Sequence, residues 1–151
     1  EIFTASRSPR GLDMIARYAD WWFVDYNKRA ETTEDVMISL QTAIDDVKRR
    51  ADRINRRVRF AYNPFVCFGP SEKEAKSRAE KLVSLDGMDT DKRKLIERIG
   101  PAMKSGCVGP PDQVRDQVEK FKKLGIELLL FKFVPNIEET QSIGREIIQH
   151  F

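Results

Sequence analysis

Hydrophobic positions along the chain follow two different periods. Short apolar runs, typical of buried strands, occupy residues 2–3, 21–24, 58–68 and 126–133. Between these runs, apolar residues return every three or four positions, which is typical of amphipathic helices. This alternation of strands and helices indicates an α/β protein whose parallel strands are joined by right-handed crossovers.

The helices are predicted from their apolar faces and from residues that favour helix ends. The longest begins at residues 32–34 and extends to about Arg53, and one of its faces carries Val36, Leu40, Ile44 and Val47. Further helices are expected from residue 12 and at 71–85, 91–104, 111–125 and 136–149.

The two later strands have distinct features. Pro64 interrupts the run at 58–68, which predicts a bulge or a bend at that position. The run at 126–133 is nearly all apolar, as expected of a central parallel strand that is buried on both faces.

A small polar loop follows the first strand. Residues 6–11, with the sequence SRSPRG, place two hydroxyl groups and two guanidinium groups before a helix. Side-chain donors and backbone N–H groups at a helix N-terminus suit a phosphate. An ordinary strand-to-helix turn with a capping residue uses the same residue types, so both interpretations stay open at this point.

Four strand–helix units form either a small open sheet or half of a (β/α)₈ barrel. Four strands cannot close at barrel curvature, so the two lateral edges of a half-barrel need the missing half or a second copy of the chain. The chain also begins directly in a strand, at Glu1. We expect residues 1–151 to be a single domain that belongs to a larger barrel or to a homo-oligomer.

Composition narrows the class of protein. The chain has 151 residues, of which 40% are hydrophobic and 34% are charged, and its net charge is +3. These values predict a soluble globular protein and do not require an acidic partner. Cys67 and Cys107 form no CxxC pair, and we expect no metal site, signal peptide or membrane span. A reduced, cytoplasmic protein is the simplest interpretation.

A basic run ends the longest predicted helix. Its members are Lys48, Arg49, Arg50, Arg53, Arg56 and Arg57. Such a run is found in nucleic-acid-binding surfaces and equally at solvated helix C-termini, where cations suit the helix dipole. Acidic residues are interleaved and no aromatic stacking residues accompany the run, so we favour the second interpretation and expect no nucleic-acid partner.

Three stretches of the sequence resemble a known family. They are ASRSPRG with ARYADWWF, then VRFAYNPFVCFGPSEKEA, and finally VGPPDQVRDQVEKFKKLGIELLLFKFVPNIEE. Their order and spacing are similar to the C-terminal half of luciferase-like, flavin-dependent monooxygenases. The most similar branches act on alkanesulfonates, dimethyl sulfone and pyrimidines.

The resemblance implies a TIM-barrel fold, of which this chain would supply strands five to eight with their helices. It also implies an enzyme that uses O₂ and reduced FMN, which a separate flavin reductase delivers. A flavin peroxide would transfer one oxygen atom to a small organic substrate, with organosulfur compounds among the candidates. A deazaflavin cofactor, which occurs in the same superfamily, stays an alternative.

The resemblance also implies a cofactor-binding loop. Its members are Ala5, Ser6, Arg7, Ser8 and Gly11. Ser8 matches the family serine that contacts the FMN phosphate, and Gly11 matches the small residue that opens the helix. Ser6 stands where the family usually has glycine, which limits how closely the backbone approaches the phosphate. Arg7 and Arg10 would add charge-assisted contacts to the phosphate.

No catalytic residue is assigned, but a substrate pocket is expected to contain Asp25, Asn63, Phe65 and Phe133. Asn63 and Phe65 stand where the sulfonate branch carries arginine and histidine, which favours a neutral or sulfone-like substrate. The aromatic residues would equally serve as ordinary core packing. His150, the only histidine, is expected at the surface, and the role of Lys132 stays open between an anion contact and a sheet edge.

A second function fits the same pattern. A half-barrel without catalytic activity would act as a remnant or as a phosphate-ligand binding module, and it would function through self-association. The two hypotheses differ in what they predict for flavin binding. The completed barrel must bind a flavin if it is a monooxygenase, whereas a non-catalytic module has no such requirement.

Overall fold

A computed structural model describes residues 1–25, 30–85, 103–132 and 137–151 of the chain. Its contacts define two compact units, of which the first contains residues 1–63 and 121–130 and the second contains residues 64–120 and 131–151. The expectation of a single domain stays a prediction.

The first unit is built on a parallel four-stranded sheet. Its strands are β1 (Phe3–Thr4), β2 (Trp21–Val24), β3 (Arg59–Tyr62) and β6 (Ile126–Leu129). All neighbouring pairs are parallel and the order is β1-β2-β3-β6, which confirms the predicted parallel sheet. The prediction of a buried central strand at 126–133 is wrong, because β6 is shorter, lies at one end of this order and has only its first residue buried.

Two helices complete the first unit. Helix α1 (Pro9–Tyr18) buries Ile15 and Ala16, and α2 (Thr33–Asp52) is the longest helix. The Thr32 side chain caps α2 by accepting a hydrogen bond from the Asp35 N–H at 3.1 Å, and the Asp35 carboxylate accepts one from the Thr32 N–H at 3.0 Å. The predicted apolar face of α2 is confirmed, because each of its four members is fully buried.

The two faces of this sheet differ. Trp22 and Phe60 are neighbours in register and are both buried, and the ammonium group of Lys48 on α2 lies 5.5 Å from the Phe60 ring centroid. This face therefore packs against the helices. On the other face Phe3 stacks on Trp21 with ring centroids 5.5 Å apart, and Phe3 stays 47% exposed.

The second unit contains a small sheet that the sequence did not predict. Strand β4 (Cys67–Phe68) pairs in parallel with β5 (Val108–Gly109). The predicted third strand is therefore split, since residues 59–62 and 67–68 belong to different sheets and Pro64 lies between them. The interruption of the strand at Pro64 was predicted correctly, but β5 was missed because it is a two-residue strand inside a glycine- and proline-rich segment.

The remaining helices are α3 (Glu72–Leu85), α4 (Pro111–Lys123) and α5 (Ile137–Glu146), followed by a 3₁₀ turn at Ile148–His150. Ile143 and Ile147 are buried, whereas Ile148 is 58% exposed because the chain has left the α-helix there. The predicted helix at 91–104 lies almost wholly outside the described residues.

Candidate functional site

The loop between β1 and α1 is shorter than predicted. Helix α1 begins at Pro9, so the loop proper is residues 5–8, and Gly11 lies in the first helical turn. Ser8 is the N-cap: its hydroxyl oxygen accepts a hydrogen bond from the Gly11 N–H at 3.1 Å, and its carbonyl accepts one from the Leu12 N–H at 2.9 Å. The capping interpretation of Ser8 is therefore correct, and the cap uses the hydroxyl oxygen as an acceptor and does not use its proton.

Several donors of this loop face solvent. Ser6 and Ser8 have their hydroxyl oxygens 3.4 Å apart, and both residues lie at least partly exposed. Pro9 has no N–H, and the N–H of Arg10 has no hydrogen-bond acceptor among the described residues. The start of α1 therefore presents hydroxyl groups and a backbone N–H at the positive end of a helix dipole.

Gly11 is required by the position of Ser6. A Cβ atom at Gly11 would lie 2.6 Å from the Cβ of Ser6 and 3.0 Å from the hydroxyl oxygen of Ser8. Ser6 therefore occupies the space beside the first helical turn, and a larger residue at position 11 would push the loop away.

An ion pair joins the loop to the neighbouring strand end. Arg7 and Asp25 form a salt bridge through Nη2 and Oδ2, and their side chains are 44% and 49% exposed. Thr4 pairs with Trp22, so continuing the parallel register by three residues brings Arg7 opposite Asp25. The structure thus brings together a predicted cofactor residue and a predicted pocket residue. Their opposite charges after two neighbouring strands were the signal that sequence reasoning missed.

Asn63 directly follows β3 and is exposed. Like Asp25 and the loop, it lies at the carboxyl end of a strand of the first sheet, which is the end where parallel α/β proteins bind ligands. No hydrogen bond to the Asn63 side chain occurs in the part of the chain that the structure describes.

Phe65 and Lys132 belong to the second unit. They form an isolated parallel bridge, in which the Val66 N–H donates to the Lys132 carbonyl and the Lys132 N–H donates to the Pro64 carbonyl, both at 2.9 Å. The Phe65 side chain is half-buried and packs against a cluster that includes Cys67. This contact favours the packing interpretation of Phe65. Lys132 is exposed, and Phe133 lies outside the described residues.

Ser105 fixes the backbone of Phe65 within the second unit. The hydroxyl group of Ser105 donates a hydrogen bond to the Phe65 carbonyl at 2.9 Å and accepts one from the Cys107 N–H at 3.2 Å. Ser105 is only 2% exposed, so both bonds are shielded from water.

The basic run forms intramolecular ion pairs. Arg49 and Arg50 pair with Asp46, and Arg57 pairs with Glu127. Arg50 also contacts Asp13, whose hydrogen bond is the main cause of the raised pKa of Arg50. These pairs favour the interpretation of the run as a solvated helix end, and His150 is exposed as predicted.

Both cysteines are free thiols and buried. Burial raises the pKa of the Cys67 thiol, and it raises that of Cys107 to about 12 despite a hydrogen bond from Ser105 that lowers it. Within the described ranges, no group of three or more potential metal ligands occurs. No helix in those ranges is both long and apolar enough to cross a bilayer.

Comparison with known proteins gives consistent matches. A family model described as luciferase-like monooxygenase matches residues 2–128. The FMNH(2)-dependent dimethylsulfone monooxygenase of Pseudomonas fluorescens (strain Pf0-1) is 23% identical, over 98% of this chain and 45% of that protein. The sulfoquinovose monooxygenase of Novosphingobium aromaticivorans (strain ATCC 700278 / DSM 12444 / CCUG 56034 / CIP 105152 / NBRC 16084 / F199) is 26% identical, over 77% of this chain and 41% of that protein.

The fold has a counterpart among solved structures. The crystal structure of a long-chain alkane monooxygenase superposes with a TM-score of 0.67 and 15% identity, covering 98% of this chain and 40% of that one. The likeness confirms the predicted α/β fold of TIM-barrel type. The chain spans less than half the length of each of these proteins.

Proposed function

Because the chain belongs to the luciferase-like monooxygenase family, we propose that it forms part of a monooxygenase that uses FMNH₂ and O₂. In this proposal the loop between β1 and α1 holds the FMN phosphate. The names of two relatives that share 98% of this chain's length specify FMNH(2) dependence, which supports reduced FMN over a deazaflavin.

The donor set at the start of α1 is the observation that carries the proposal. A phosphate dianion needs hydrogen-bond donors and positive charge without a competing carboxylate in contact. The Ser6 and Ser8 hydroxyl groups share one hydrogen bond, so the pair offers one free hydroxyl proton, beside the N–H of Arg10 and the positive end of a ten-residue helix. The side chain of Arg10 is close in sequence to these donors, whereas that of Arg7 is paired with the Asp25 carboxylate. The residues present therefore fit a phosphate.

The protein residues bind and orient, whereas the reduced flavin supplies the two electrons that activate O₂. One oxygen atom enters the substrate and the other leaves as water, so electrons and atoms balance. Anchoring the phosphate at α1 would fix the position of the cofactor relative to the carboxyl edge of the sheet. The oxygen-transfer route that the resemblance implies stays a prediction.

A small, neutral organosulfur compound is the proposed substrate class. Asn63 places an uncharged amide at the carboxyl end of β3, and the Asp25 carboxylate already has Arg7 as its partner. A neutral amide favours an uncharged acceptor such as a sulfone oxygen over an anion, which would gain more from a cation. Phe65 and Phe133 stay predicted contributors to the pocket.

The proposal includes further strands. In the described residues the first sheet ends at β1 and β6, and unpaired edges require covering. Together with the partial coverage of the relatives, this supports a barrel completed by a preceding half or by a second copy of the chain. A flavin reductase partner and the predicted cytoplasmic location belong to the same proposal.

The test measures oxygen transfer by the natural full-length protein. With FMNH₂ and ¹⁸O₂, we expect dimethyl sulfone to give products that carry one ¹⁸O atom, and methanesulfonate to give none. Products from methanesulfonate alone would overturn the substrate class. Absence of both flavin binding and oxygen transfer would favour the non-catalytic module that self-associates.

A further inference from the structure

The ion pair between Arg7 and Asp25 joins two neighbouring strand ends at the candidate cofactor loop. Arg7 lies between the two loop serines, and Asp25 follows β2 directly. The two side chains come from different strands, so the pair holds the loop in a fixed relation to the sheet.

We propose that Asp25 is a positioning residue: it orients the Arg7 guanidinium so that this group bridges the Asp25 carboxylate and the flavin phosphate. The consequence is selection of FMN over riboflavin, which lacks the phosphate. This inference rests on the proposed function, since it concerns the same loop.

The geometry of the guanidinium permits such a bridge. Arginine has five N–H donors in a planar fork, and the salt bridge to Asp25 is made through Nη2. Nε and Nη1 of Arg7 have no acceptor in the part of the chain that the structure describes. Each of them can still donate a hydrogen bond to a phosphate oxygen.

Pre-orientation matters because the loop is exposed. A free arginine side chain at a surface loses rotamer entropy when it binds a phosphate, and a partner that already holds it lowers this loss. The negative charge of Asp25 has the opposite effect, since it repels the phosphate. Both side chains are about half exposed, so water and salt screen this longer-range repulsion more than the direct contact of Arg7.

Arg10 provides a matched comparison. It lies in the first turn of the same helix and carries the same charge, but it forms no ion pair within the described residues. Substitution of Arg10 changes the charge of the loop without touching the Asp25 contact.

The experiment is a double-mutant cycle in the natural full-length protein, with FMN and riboflavin dissociation constants measured by flavin fluorescence. Arg7→Gln should weaken FMN binding about tenfold, as expected for a charge-assisted hydrogen bond, and leave riboflavin binding within about twofold. Asp25→Asn should weaken FMN binding about threefold, again without an effect on riboflavin. Added to Arg7→Gln, it should cause no further loss, whereas added to Arg10→Gln it should keep its full effect.

Two results would overturn the inference. Unchanged or tighter FMN binding in Asp25→Asn would be the first, because a positioning role requires a loss of affinity. An equal loss for riboflavin would also contradict it, since that would indicate a general structural defect. If the wild-type protein itself binds FMN no better than riboflavin, then the proposed phosphate loop fails together with the inference.

Discussion

Single residues at the start of α1 depend on one another. The sequence predicted that Ser6, Ser8 and Gly11 act together, because small and polar residues suit a loop before a helix. The contact between Ser6 and position 11 could not be predicted, since it depends on a rotamer and on the exact start of the helix. The same is true of Arg7 and Asp25, whose pairing depends on the strand register.

Gly11→Ala tests the close contact with Ser6. Alanine is the better helix former, by up to about 1 kcal/mol. We nevertheless expect the free energy of unfolding to fall by about 1 kcal/mol, because overpacking at 2.6 Å from the Ser6 Cβ costs more. In a Ser6→Gly background, Gly11→Ala should be neutral or stabilising. Equal losses of unfolding free energy in both backgrounds would show that the contact with Ser6 is not the cause.

Cys107 should make stability depend on alkaline pH. Its pKa is raised from 9.0 to about 12 by burial, so the folded state keeps the proton that the unfolded state loses. Stability from this group is present below pH 9 and is lost as pH rises toward 12, by up to about 1.4 kcal/mol per pH unit. Denaturant unfolding at pH 8 and pH 10 should show this loss in the wild-type protein. The loss of unfolding free energy should be smaller in Cys107→Ala. The same change with pH in both proteins would contradict a contribution from Cys107.

At the scale of elements, the long helices were predictable and the short strands were not. Helix α2 carries a capping box and a continuous apolar face, and both signals are local in the sequence. Strand β5 has two residues, and it exists because its backbone pairs with β4, in which Cys67 is the partner of Val108 and Phe68 that of Gly109. These partners are distant in sequence. Tertiary pairing of this kind leaves no periodic pattern.

Ser105→Ala tests how this small sheet is held. The substitution removes the donor to the Phe65 carbonyl and the acceptor for the Cys107 N–H, both in a buried position. We expect the free energy of unfolding to fall by about 1–3 kcal/mol. Ser77→Ala, at an exposed position of α3, is the matched control and should change it by no more than about 0.5 kcal/mol. Similar effects of the two substitutions would show that the Ser105 bonds do not hold the sheet.

At the scale of the whole molecule, the parallel order of four strands followed from the alternation of strands and helices. The covering of the sheet edges could not be predicted in this way, because it depends on residues outside this sheet. Phe3 lies on the face opposite the helices and is 47% exposed, which is unusual for an aromatic residue of a parallel sheet. The proposed barrel explains this exposure, since that face would become the barrel interior.

Thiol labelling tests the proposed covering of Phe3. In the natural full-length protein, Phe3→Cys should react slowly with a thiol reagent because the barrel encloses it. Ile38→Cys, on the outer surface of α2, should react fast, although the two positions are similarly exposed here, at 47% and 59%. The native thiols are buried and contribute little background. Equal labelling rates at the two positions would contradict a completed barrel.

The most direct test of the central claim is the dissociation constant of FMN for Ser8→Ala and Ser71→Ala in the natural full-length protein. Both serines accept a hydrogen bond from the N–H three residues later, at 3.1 Å for Ser8 and 3.3 Å for Ser71, so both substitutions remove a helix cap. Each should cost about 1 kcal/mol of stability.

Only Ser8 lies in the proposed phosphate loop. The account predicts that Ser8→Ala weakens FMN binding about tenfold with riboflavin binding unchanged, and that Ser71→Ala changes neither. Unchanged FMN binding in Ser8→Ala would contradict the assignment of this loop as the phosphate site.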